Sequence, residues 1–264
     1  LLASRRRAFA AGLSLTLLAP AAALAGAWTY PQGQGQIIET LFGWMGEGAP
    51  YGGVGGPREN RVEAQTYAEY GLADRLTLVG QAALECYELS APSADVFRGF
   101  DYSGIGLRAG LSSTDALVIS AEAMGFAPGA RDVSRPAQTG NTGGAGEVRA
   151  LVGYNFTLGA APAFLDGEGA FRLRSAGPPN EWHIDATLGL KPSPRVMWLL
   201  QGYSTISAGS GSAMFPAWSS HAVQLSLVYA LDEHWSVQAG AFTTVATVTT
   251  NSQRGFVAAV WRKF

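Results

Sequence analysis

Glu63, Arg108, Glu122, Glu147, Arg149, Glu168, Arg172, His183 and Asp185 carry the chemistry most worth placing. Glu147 and Arg149 stand two residues apart, Glu168 and Arg172 four, His183 and Asp185 two. Such even spacings keep side chains on one face of a β-strand, where successive residues alternate between faces. By the same parity Glu39, Arg61, Glu69, Glu85, Asp166 and Arg174 join that face. Projecting into water, these charges tune which solutes pass, as charged rings do in channels. Paired across neighbouring strands, they fill and stabilise the interior instead. The two roles are compatible, and Arg149 with Arg172 and Glu168 is the expected constriction.

Hydrolysis asks for a nucleophile, a base within hydrogen-bond reach and a group that orients the base. His183 shares a face with Asp185, and His221 follows Ser219 and Ser220. No Gly-x-Ser-x-Gly elbow occurs, so the sequence points away from an enzyme. The run "YGGVGGP" lacks the Lys-Ser/Thr ending of a phosphate loop and reads as an external loop. Cys86 is the sole cysteine and the three histidines are scattered, which gives no disulfide, no metal motif and no cofactor signature.

Elements that position such a face must be strands. Only 14% of the 264 residues are charged, against about 25% in average globular chains, yet beyond residue 27 no apolar run approaches a spanning helix. Alternation marks about twelve segments: 35–45, 60–71, 75–89, 100–111, 115–127, 146–158, 163–174, 181–191, 195–206, 219–231, 234–247 and 254–264. The connections alternate too. Short "LADR", "SSTD", "LGAAP", "KPSP" and "LDEH" interleave with long, Gly- and Ser-rich stretches. That rhythm is expected of a transmembrane antiparallel up-and-down barrel, with short periplasmic turns and longer external loops. Twelve strands also enclose more space than one apolar layer fills, so the polar face belongs inside.

Ahead of this lies a targeting segment: Arg5-Arg6-Arg7, an apolar stretch, and a small-x-small site at Ala25-Gly26-Ala27, with cleavage after Ala25 equally compatible. The expected division is a cleaved leader, 1–27, and a single barrel domain, 28–264. "SRRRAF" resembles a twin-arginine signal, but a barrel precursor travels unfolded, which favours the general secretory route. Loss of the leader removes three arginines and no acid, and the resulting acidic balance argues against nucleic acid as a partner.

Aromatic residues supply the membrane-interface expectation. Tyr70, Phe156, Trp198, Tyr229 and Trp235 lie near the short turns, and Trp44, Trp182 and Trp218 toward the long loops, as two headgroup belts would require. The last strand, "GFVAAVWRKF", ends on Phe264, with Phe256, Ala258 and Val260 at alternate positions and Arg262 as the exception. It is expected to close the barrel between "HWSVQAGAFTTV" and "GQIIETLFGW", with Arg262 snorkelling from the lipid side.

With its leader, alternating connections and terminal aromatic strand, the chain resembles Gram-negative outer-membrane β-barrels of the small transporter or channel type. The resemblance implies an outer-membrane location, contact with the lipid bilayer, engagement of the insertion machinery through the C-terminal strand, and passage of small solutes. Two alternatives stand beside it: a plugged structural or surface-binding barrel whose long loops act, and an outer-membrane hydrolase.

Overall fold

The computed structural model describes residues 26–47, 58–90, 94–130, 143–175, 177–211 and 215–264. Residues 1–25, "YGGVGGP" and most of the 128–145 connection lie outside them. The strands are β1 (Gly35–Glu47), β2 (Glu59–Ala73), β3 (Leu76–Leu89), β4 (Asp95–Phe100), β5 (Ser103–Ser113), β6 (Leu117–Ala127), β7 (Ala145–Leu158), β8 (Ala161–Arg174), β9 (Glu181–Ser193), β10 (Val196–Ser207), β11 (Ser219–Ala230), β12 (Trp235–Val248) and β13 (Ser252–Lys263).

Every pairing is antiparallel between neighbours, and β1 joins β13 on one side and β2 on the other, so the sheet closes on itself. The closing strand pairs as its sequence suggested: Gln36 opposes Lys263 and Glu47 opposes Ser252, while Trp235 opposes Arg262. Among the described residues closure leaves no free edge except along the short β4, which pairs only with β3, and pairing on both edges is the condition for strands to sit in hydrocarbon.

Thirteen strands make twelve staves. β4 and β5 share one stave, pairing successively with the two halves of β3: Leu89 with Asp95 through Leu84 with Phe100, then Gln81 with Gly104 through Leu76 with Ala109. The reading of 100–111 as one strand beginning after a loop is therefore corrected. "DVFRGF" is strand, and the regular pairing is interrupted at Asp101 and Tyr102, both buried, although the Asp101 amide still donates to Ala83 of β3 at 2.9 Å.

Alternation governs the two faces. β2 runs buried, exposed, buried from Glu59 onward, with Arg61, Glu63, Gln65, Tyr67 and Glu69 inward and Val62, Ala64 and Tyr70 outward. Outside, the barrel shows Val62, Leu84, Ile105, Val148, Val152, Leu165, Ile184, Leu200, Leu225 and Val260, all well exposed. An apolar exterior over a polar interior is the reverse of a water-soluble barrel. Short turns such as that between β7 and β8, where Gly159 takes φ 61, lie at the end that also holds Gly35 and Phe264, whose backbones bond at 2.9 and 3.1 Å.

Candidate functional site

Inward side chains divide the lumen into two walls. β2, β3 and β5 to β9 contribute charge, whereas β10 to β13 and β1 contribute buried Gln201, Gln224, Gln238 and Ser226 among Leu199, Val228, Phe242, Val257 and Trp261. On the neutral wall Gln224 donates to Gln201 at 2.8 Å and to Ser226 at 3.1 Å.

Arg108 forms the first charged node. Its guanidinium donates to Glu122 at 2.7 and 3.0 Å, to Glu69 at 2.5 Å, to the Tyr67 hydroxyl at 3.1 Å and to the Trp28 carbonyl at 3.3 Å. Glu69 also accepts from Gln36 and Tyr67, each at 2.9 Å. Arg108 thus spends its planar fork on four partners from three segments, a geometry lysine cannot supply.

Arg149 forms the second node. It pairs with Glu147 at 2.8 Å, closely with Glu168, and more distantly with Asp185 at 3.7 Å and Glu122 at 4.0 Å. Arg172 joins through Glu147 at 2.8 Å and lies 4.6 Å from the centre of the Phe126 ring. The three residues expected at a constriction are therefore assembled in one network, bridged by Glu147. Register explains it: Glu122 opposes Arg149, and Glu147 opposes Arg172.

Toward the long-loop end lie two smaller groups. Arg174 pairs with Glu181, whose carboxylate also meets His183 at 3.3 Å. Arg61 stands 3.1 Å from Glu85 and 3.9 Å from Glu59, stacked on Tyr87 at 4.3 Å. Glu63, Glu85 and Asp101 bring carboxylate oxygens within 4.8 Å of one another beside it. Glu63, Arg108, Glu122, Glu147, Arg149, Glu168, Arg172, His183 and Asp185 all face inward, then, but in separate groups and not as one ring.

A segment that carries no alternation crosses the short-turn end. From Gly35 the chain runs back through Tyr30, whose amide donates to Thr77 at 2.9 Å, and Trp28, which packs edge-on against Phe164 at 5.8 Å, to Ala27, whose amide donates to Asp166 at 2.9 Å. Gly26 and Ala27, assigned to the leader from the sequence, lie within the lumen. Trp28 rests on Gly153, where an added Cβ would stand 2.6 Å from the indole. The strap spans the mouth from β1 to β8, and its only foreshadowing in the sequence is Trp28 and Tyr30 after a run of small residues.

Three expectations are corrected. Glu39 points outward, because it shares parity with Leu41 and Met45, and it accepts from Thr66 at 2.8 Å on the outer face. Trp44 and Trp218 are buried, at 4% and 3% exposure, and so form no outer belt; Trp44 packs inside against Phe242. Phe156 shares the outward parity of Tyr154 beside the short turn after β7, half-buried because the two rings stack. The hydroxyl that meets His221 is that of Ser204 at 2.9 Å, not of Ser219 or Ser220, since β10 lies opposite. Tyr70, Trp198, Tyr229, Trp235 and Phe264 face outward near the short-turn end, with Tyr70 stacked on Phe264 at 6.3 Å and Arg262 over Trp235 at 5.4 Å.

No family model matches the sequence, and no curated protein is similar to it in sequence. Among solved structures the chain is similar to an outer membrane channel from Pseudomonas putida F1, with a TM-score of 0.71 at 13% identity, covering 91% of this chain and 98% of that one. It is also similar to the translocator domain of the autotransporter NalP from Neisseria meningitidis, with a TM-score of 0.50 at 12% identity, covering 89% and 90%. The fold is that of the outer-membrane β-barrels.

Proposed function

We propose that the chain is an outer-membrane channel passing small solutes through a narrow, cation-favouring lumen. The observation that carries this reading is the inward charged wall, on which Glu59, Glu63, Glu69, Glu85, Glu122, Glu147, Asp166, Glu168, Glu181 and Asp185 outnumber Arg61, Arg108, Arg149, Arg172 and Arg174. An acid excess on a pore wall raises the local cation concentration and repels anions. The apolar exterior supports placement in a bilayer, with Tyr70, Trp198, Tyr229, Trp235 and Phe264 as the headgroup girdle at the periplasmic rim. The fold's likeness to a channel from Pseudomonas putida F1 agrees with the same reading. Liposome swelling with neutral, anionic and cationic solutes tests it: small cations are expected to enter fastest, and swelling by none of the three would reject it.

Ser204 and His221 favour a second reading, hydrolysis at the outer face. Their 2.9 Å contact is a nucleophile beside a base. Among the described residues no carboxylate or amide orients the other nitrogen of His221, and that third group is what makes such a pair work. Purified protein is accordingly expected to release no fatty acid from phospholipid, and release that disappears in Ser204→Ala would establish the hydrolase.

A further inference from the structure

Asp166 on β8 is a lumenal carboxylate with 6% exposure, and among the described residues no arginine, lysine or histidine lies within ion-pair distance of it. Glu168, two residues along the same wall, gives its charge to Arg149. The Glu168 carboxyl nonetheless lies close enough to share a hydrogen bond with Asp166, and the other partner of Asp166 is the end of the strap. Ala27, fully buried beside Val118 and Leu151, donates its amide to Asp166 Oδ1 at 2.9 Å. At Gly26 the backbone runs along the same oxygen, so closely that an added Cβ would stand 3.2 Å from it. A cavity of about 290 Å³ opens there, lined by Gly26, Trp28, Phe164, Asp166, Thr187 and Lys191 among others. Two carboxyls this close cannot both stay charged out of water unless a cation joins them.

The bond before Gly26 follows Ala23-Leu24-Ala25, which places small residues where a signal peptidase reads them. We propose that the chain is cleaved between Ala25 and Gly26, and that the α-ammonium released on Gly26 ion-pairs with Asp166 inside the lumen. Water adds across that amide under a signal peptidase. The carboxylate leaves with the leader, and the Gly26 amine takes up the proton. Cleavage after Ala27 instead would empty the space between Val118 and Leu151 and strip Asp166 of its donor. The ammonium docks the strap in the barrel wall, so the first residue of the processed chain is a ligand of its own lumen.

Protein extracted from the outer membrane of cells expressing the full chain is the material for the test. N-terminal sequencing and intact mass should begin at Gly26; a chain beginning at Trp28, or one that keeps its leader, overturns the proposal. Pairing is then read from the rate at which a small amine-reactive ester at neutral pH modifies the N-terminal peptide. A charge-assisted contact should slow that reaction about tenfold or more relative to Asp166→Asn, whose side-chain oxygen still accepts from Ala27. Asp166→Glu, which keeps the charge, should retain most of the protection. Equal rates in the wild type and Asp166→Asn would show that the ammonium is not held by Asp166.

Discussion

Arg149 neutralises Glu147 and Glu168 directly and Asp185 at longer range, and with 15% side-chain exposure it does so largely out of water. Removing one partner of such a group leaves uncompensated charge, a far larger loss than the pair's net gain. Arg149→Met should therefore lower unfolding stability by about 3–5 kcal/mol, read from urea denaturation in detergent micelles. Because Glu168 and Asp185 lose their counter-charge while Glu147 keeps Arg172, the same variant should also shift the reversal potential in a salt gradient toward stronger cation preference. Parity made the inward charges readable in advance, Arg149 and Glu168 among them. Their pairing was hidden: Arg108 sits on β5 and Glu69 on β2, with β3 between them, so their 2.5 Å contact depends on register and on the reach of a long side chain. Glu39 was misplaced for the complementary reason, since a charge was expected inside where the strand's own parity puts it out beside Thr66.

At the scale of elements, the turn between β11 and β12 shows what fixes a hairpin. Asp232 accepts from the amides of His234 at 2.7 Å and Trp235 at 2.8 Å, and these donors hold its carboxyl below the usual range. A depressed carboxyl stabilises the folded turn above the unfolded value of about 3.9, and that contribution is lost as pH falls through the lower folded value. Asp232→Ala should speed backbone exchange at His234 and Trp235 at neutral pH and abolish the acid-dependent part of that exchange, measured by mass spectrometry. "LDEH" announced this turn plainly, because Asp is a residue that bonds its own downstream backbone. The strap gave no such signal, since an aperiodic segment held by Thr77, Phe164 and Asp166 takes its shape from the barrel around it. Gly153→Leu fills the space under Trp28 and should dislodge the strap, raising the rate at which a protease added from the periplasmic side cuts the N-terminal segment.

For the whole molecule, the outer belt and inner charge define opposite solvents on the two faces of one sheet. Val152 is 45% exposed on the outer face midway along β7. Val152→Arg should cost about 2–4 kcal/mol in lipid vesicles, whereas Arg262→Ala at the rim should change stability by about 0–1 kcal/mol. Equal effects would mean that the exterior does not meet hydrocarbon. The barrel architecture was legible because closure, alternation and turn rhythm repeat along the whole chain. The break between β4 and β5 was not, because it falls at just two residues, Asp101 and Tyr102, within a run that pairs with β3 on both sides. Planar-bilayer recording of the wild type beside Gly153→Leu, in a potassium chloride gradient, decides whether this barrel conducts. A small cation-preferring conductance that grows when the strap is displaced is the predicted result, and silence from both proteins would contradict a channel.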